Sequence, residues 1–274
     1  MLILLLASCD AVTNMQRGAG TPDPTVSATP SLDVVASGVL TVGSYTNYPP
    51  QIYVDARTHQ VEGFDADLIR AIGKRLGLRV EIVSLEFASL AEYVVNSDVD
   101  LAISAIPVTS ALQKKVQFVP YLQGGEVLVV QQGNPLKITS VEDLCGQRVG
   151  VKVDTLEQED LTMQSDSCKR NSKAPITISA LADQQSVIQL LLKKQVVAVY
   201  QDAPQADYFI KQYPGHFEFG GPITNTTVEG IAIRKDNSSL FQAVQKSLVA
   251  MHKDGTYHAL IVKWGLIHEE TSRT

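Results

Sequence analysis

Phe64-Asp65-Ala66-Asp67-Leu68-Ile69-Arg70-Ala71-Ile72-Gly73-Lys74-Arg75-Leu76, then Gly77-Leu78 and Arg79-Val80-Glu81-Ile82-Val83, is the stretch that decides the fold class. Phe64, Leu68, Ile69, Ile72 and Leu76 recur at helical spacing. Gly77 supplies the stop, and 79–83 alternates as a strand. Upstream, Val39-Leu40-Thr41-Val42-Gly43 reads as a short buried strand ending at a glycine. Downstream, a helix around Ser89 to Asn96 leads to a strand from Val99 to Ile103. This β-α-β-α-β order predicts a parallel sheet with helices on its faces. The pattern returns with strands at Arg148–Val151, Pro175–Ile178 and Val196–Tyr200, and helices at Thr155–Met163, Asp183–Lys194 and Asp202–Gln212. A strand near Gly230–Ile233 and helices over Ser239–Lys253 and Thr256–Trp264 close the chain. The expectation is an α/β protein of two lobes, whose halves are too dissimilar to call a repeat. Ligands of open α/β sheets sit beyond the carboxyl ends of the strands. The segments to inspect are therefore 44–51, 84–87, 104–109, 152–157 and 201–202.

The 274 residues are 45% apolar and 19% charged, with a net charge of −6. That balance argues against nucleic-acid binding, which needs a basic face. No apolar run reaches the roughly 18–20 residues of a membrane span. The sequence holds no phosphate loop, no dinucleotide glycine fingerprint and no nucleophile elbow. The five histidines are scattered without metal-ligand spacing. No cofactor, metal or catalytic set is expected.

Residues 1–9 read Met-Leu-Ile-Leu-Leu-Leu-Ala-Ser-Cys. The apolar run and the small residues before Cys9 resemble a bacterial lipoprotein signal, although the usual basic start is missing. Residues 10–33 carry Gly, Pro, Ser and Thr without periodicity and read as a flexible tether. The expected location is extracytoplasmic, with the chain anchored to the cell membrane through lipid on Cys9. Cys145 and Cys168 then remain. Export permits a disulfide between them, and the alternative is two buried thiols.

The order of short motifs resembles the bacterial extracellular solute-binding proteins of family 3, the polar amino-acid type. Tyr48-Pro49-Pro50 precedes Gly63-Phe64-Asp65-Ala66-Asp67-Leu68. Asp98-Val99-Asp100-Leu101 precedes Ser104-Ala105-Ile106. Glu142-Asp143-Leu144-Cys145-Gly146-Gln147-Arg148-Val149-Gly150-Val151, Asp202-Ala203-Pro204, Asp254-Gly255-Thr256-Tyr257 and Lys263-Trp264-Gly265 follow in family order. The resemblance covers about residues 35–267. It implies a type II periplasmic-binding-protein-like fold: lobe 1 from 34–120 plus 229–274, lobe 2 from 126–224, and hinge crossings at 121–125 and 225–228. It also implies a substrate-binding component of an ABC importer, working with a membrane permease and its ATPase. The pairing of Cys145 with Cys168 resembles one branch of the family.

The family's ligand site maps onto Tyr48 and Phe87 as aromatic walls. Ser104, Ala105 and Pro107 map onto the backbone-and-hydroxyl segment, and Lys152, Asp154 and Thr155 onto the second-lobe loop. Asp202 maps onto the carboxylate for an α-ammonium, with Gln201 beside it. Tyr48 and Phe87 can also be read as core, Asp202 as a helix cap and Lys152 as a surface charge. Three departures weaken anion recognition. Leu112 stands where the family places an arginine that clamps the ligand carboxylate. Asp154 adds a negative charge, and Pro107 removes a backbone donor. Three outcomes follow: an amino acid held with Lys152 replacing the arginine, a cation such as a polyamine, guanidinium or quaternary amine, or a decayed site. A sensory receptor or a dehydratase-like enzyme using Glu157 or Glu126 as acid is less favoured, because a dicarboxylate cleft needs more positive charge. The expected role is therefore not enzymatic.

Overall fold

The computed structural model describes residues 32–270. The lipid site at Cys9 and the signal at 1–9 lie outside the described residues, as does nearly all of the tether. In chain order the elements are β1 (Val39–Ser44), β2 (Asn47–Tyr48), β3 (Ile52–Val54), β4 (Val61–Glu62), α1 (Phe64–Leu76), β5 (Arg79–Ser84), α2 (Leu90–Val95), β6 (Leu101–Ala102), α3 (Ser110–Gln113), β7 (Val116–Gln131), β8 (Arg148–Lys152), α4 (Leu156–Arg170), β9 (Thr177–Leu181), α5 (Gln184–Leu192), β10 (Ala198–Asp202), α6 (Ala203–Gln212), β11 (Phe217–Phe219), β12 (Thr224–Arg234), α7 (Ser238–Asp254) and α8 (Thr256–Trp264).

One sheet runs in the order β5-β1-β6-β12-β7-β10-β8-β9, with β11 beside β7, and β2, β3 and β4 form a small second sheet. β5, β1 and β6 are parallel, as are β10, β8 and β9. The two parallel sets are joined by β7 and β12, which pair antiparallel with each other. β7 contributes to several apolar clusters. Its Val119, Tyr121 and Leu122 pack with Leu40, Val42, Phe64, Leu68 and Ile231. Its Val127 and Val129 pack with Val187, Leu191 and Phe209, and its Leu128 and Val130 with Val149, Val151 and Leu161. Between those stretches the β7–β12 register slips on both sides of the segment Thr227–Glu229. Gly124 leaves room there for the Glu229 carboxylate, which a Cβ would approach to 2.6 Å.

α1 follows its expected bounds, and its start explains the motif around it. No side chain caps it. Instead the Phe64 and Asp65 amides donate to the Pro50 and Gln51 carbonyls, at 3.0 and 2.8 Å. Gly63 has φ 128°, and a Cβ there would lie 2.2 Å from the Gln51 carbonyl oxygen. The Pro50–Gln51 segment is thus fastened to the helix start, which satisfies orphan amides and places Tyr48.

Several bounds differ from the sequence reading. β9 is Thr177–Leu181 rather than 175–178, and α4 extends to Arg170 rather than 163. β6 keeps only Leu101–Ala102 of the expected strand. The crossing expected at 121–125 lies within a much longer strand, the sixteen-residue β7, which runs through Pro120 and the Gly124-Gly125 pair. Cys145 and Cys168 form a disulfide with Cα atoms 5.7 Å apart, which joins the approach to β8 with α4. Among the described residues, no helix is long and apolar enough to cross a membrane.

Candidate functional site

β8, β10 and β9 are parallel, so their carboxyl ends lie on one side of the sheet. β8 ends at Lys152, in register with Leu181 of β9, and β10 ends at Asp202. A cavity of about 140 Å³ opens there, lined by Tyr48, Lys152, Thr155, Glu157, Gln184, Tyr200, Gln201, Asp202 and Gln205. Tyr48 reaches it from β2 in the opposite part of the chain, and its hydroxyl donates to Asp202 Oδ2 at 2.6 Å. Asp202 occupies the cap position of α6, yet its side chain does not cap that helix. The carboxylate is free to face the cavity.

The loop after β8 is built by local hydrogen bonds. The Thr155 hydroxyl accepts from the Gln158 amide and donates to the Lys152 carbonyl, at 3.3 and 2.9 Å. Asp154 takes a left-handed conformation at φ 60°, and its amide donates to Gln158 Oε1. That turn carries the chain from Lys152 into α4, and Glu157 in its first turn becomes buried at the cavity. Lys152 makes no ion pair among the described residues, so its ammonium is available to a ligand anion.

The electrostatics are dominated by carboxyl groups. Burial first, then the Asp202 charge, push Glu157 up to about 7. Burial also raises Asp202, opposed by the hydrogen bond from Tyr48 and by the Lys152 charge. Burial and the neighbouring Asp202, Glu229 and Glu157 carboxyls hold the Tyr48 hydroxyl well above its usual range, so it stays a donor. Glu229 on β12 is buried and accepts from Gln51 Nε2 at 2.9 Å. Burial, with Asp65 and Asp202 nearby, keeps its carboxyl well above the ordinary range.

The structure gathers Tyr48, Lys152, Thr155, Gln201 and Asp202 around one cavity. Glu157, named from the sequence as a candidate acid, lines it as well, whereas Glu126, Phe87, Ser104, Ala105, Pro107 and Asp154 do not. Phe87 begins a short helical turn and is 44% exposed. The Ser104 hydroxyl accepts from the Tyr45 amide at 3.2 Å. The Ala105 amide, at φ 50°, donates to Asp65 and to the Tyr121 hydroxyl. Pro107 bridges to Glu229, and Asp154 is exposed. Gln184, Tyr200 and Gln205 were missed. Gln184 opens α5, and the segments singled out from the sequence include none after β9. Leu112 packs against the apolar cluster around Leu90, Val94 and Ile106.

The model of the bacterial extracellular solute-binding proteins, family 3, matches residues 40–267. The chain belongs to that family. It is 28% identical over 239 residues to the putative ABC transporter arginine-binding protein 2 of Escherichia coli (strain K12), covering 85% of this chain and 93% of the relative. Among solved structures, an ancestral cationic amino acid solute binding protein (AncCDT-1) matches with TM-score 0.74 and 29% identity, over 83% of this chain and 96% of that one. An ancestral arginine-binding protein bound to arginine matches with TM-score 0.61 and 31% identity, over 83% and 98%. The fold is the type II periplasmic-binding-protein fold, with β7 and β12 as its two crossing strands.

Proposed function

We propose that the chain is the extracytoplasmic solute receptor of an ABC importer and that it captures a cationic amino acid. Residues 34–120 with 229–274 act as one lobe and 126–224 as the other, closing about the crossings at 121–125 and 225–228. A lipid on Cys9 holds the receptor at the membrane, where a permease and its ATPase take the solute. The chain binds and does not catalyse.

One observation carries the reading. Lys152 and Asp202 line the same small cavity, with opposite charges for a carboxylate and an ammonium, and Glu157 adds a second acidic group. The relatives support it, since arginine-binding proteins are among them. Lys152 takes over the task of the arginine that Leu112 displaces.

A thermal-shift series on the full chain tests this, using L-arginine, L-lysine, L-glutamine, L-glutamate, agmatine and putrescine. A ligand at about 100 times its Kd adds about 2.7 kcal/mol. For a chain of this size the midpoint should rise by about 5–10 °C with arginine or lysine. No shift with any of the six overturns the proposal. The packing of Leu112 into an apolar cluster favours a second reading, an amine without a carboxylate. A shift with agmatine or putrescine but not arginine would establish it.

A further inference from the structure

Glu157 and Asp202 are two carboxyl groups on one 140 Å³ cavity with a single lysine, Lys152, among its lining residues. Both cannot stay ionised side by side away from water at low cost. Burial raises both carboxyl groups, and the Asp202 charge raises Glu157 further, so protonating Glu157 relieves the pair. A second observation points to a ligand. Gln201 is 1% exposed and lines this cavity, and its Oε1 accepts from Gln184 while its buried Nε2 has no partner. A buried amide donor without a partner, on the residue next to Asp202 and near two carboxyl groups, suits a solute that carries both an acceptor and a cationic group.

We propose that Glu157 is a second cation-recognising carboxyl of this cleft, protonated against Asp202 when the cavity is empty and ionised when a cationic group enters, so that capture expels a proton. This rests on the reading of the chain as a receptor for a cationic solute. With Glu157 protonated, the charges of Lys152 and Asp202 cancel. A solute of net charge +1 then needs one more counter-charge, and loss of the Glu157 proton supplies it. A zwitterion such as glutamine needs none. The other ionisable groups facing the pair are Tyr48 from β2, Glu126 from β7, Lys152 from β8, Tyr200 from β10 and Glu229 from β12. Tyr48 is held protonated by its surroundings. Glu126 is occupied by the Tyr200 hydroxyl and by Asn225 Nδ2, with Asp160 close by, and Glu229 is occupied by Gln51. Glu157 is left as the group whose proton the solute displaces.

Titration calorimetry of the full chain with L-arginine, in buffers of different ionisation enthalpy, counts the protons. From a free-state value of about 7 for Glu157, binding should release about 0.9 proton at pH 6 and about 0.1 at pH 8, with Kd about tenfold weaker at pH 6. Glu157→Gln should bind arginine with no proton release and a flat pH profile between these limits. Wild-type protein should bind L-glutamine with no release at pH 6. Three results overturn the proposal: arginine binding without proton release, unchanged release in Glu157→Gln, or equal release with glutamine. The glutamine comparison holds even if the variant does not fold. Failure of arginine to bind at all overturns both this inference and the functional reading beneath it.

Discussion

Replacing Asp65 by Asn should change how stability depends on pH. Asp65 stands in the first turn of α1, fully buried. Its Oδ2 accepts from the Ala105 amide at 3.2 Å, and its Oδ1 has no partner. Burial raises its carboxyl from 3.8 to about 7, against the lowering effect of the hydrogen bonds from Tyr121 and Ala105. The sign follows from proton counting. The folded chain keeps this proton up to about pH 7 while the unfolded chain loses it near 3.8, so stability falls as pH rises between those values. The loss totals about 4 kcal/mol, about 3 of it between pH 4.5 and 8. Asparagine keeps an acceptor for the Ala105 amide and does not titrate. Urea unfolding of both proteins at pH 4.5, 6 and 8 should show the variant gaining about 3 kcal/mol on wild type across that range. The gain includes relief of Glu229, which the Asp65 charge also raises. Parallel profiles for the two proteins would refute the reasoning, because Asp65 would then be ionised in the folded state or exposed to water.

Gly63→Ala should destabilise by more than about 2 kcal/mol in the same assay, since the new Cβ meets the Gln51 carbonyl at a φ that alanine rarely adopts; a neutral result would mean that this clamp is not rigid. Reducing the Cys145–Cys168 bridge, with 23 residues of separation, should cost about 3 kcal/mol in denaturant, and an unchanged midpoint would count against it. Lys152→Met should weaken L-arginine about 10- to 100-fold and leave agmatine unaffected, as calorimetry can show. Equal losses for both ligands would place Lys152 in support of the fold rather than on the carboxylate.

The sequence by itself determined the local elements and the family. α1 was legible because its apolar residues keep helical spacing up to a glycine stop, and α6, α7 and α8 were placed to within a residue or two. Tyr48, Lys152, Thr155, Gln201 and Asp202 were legible because the family resemblance names them, within segments at or after strand ends where open α/β sheets expose their ligand sites. Tertiary structure decided what periodicity does not encode. β7 pairs across both parallel sets despite Pro120 and two glycines, because β12 and β10 supply its ladder. Gln184 reaches the cavity because the start of α5 packs beside the end of β10, where it donates to Gln201. Whether Glu157 is a solvated charge or a proton-bearing partner of Asp202 depends on burial and on a neighbour 45 residues away in the chain. Spacing along a sequence records which residues share a face, but the ionisation of a carboxyl is set by the water and charges that folding removes or brings near.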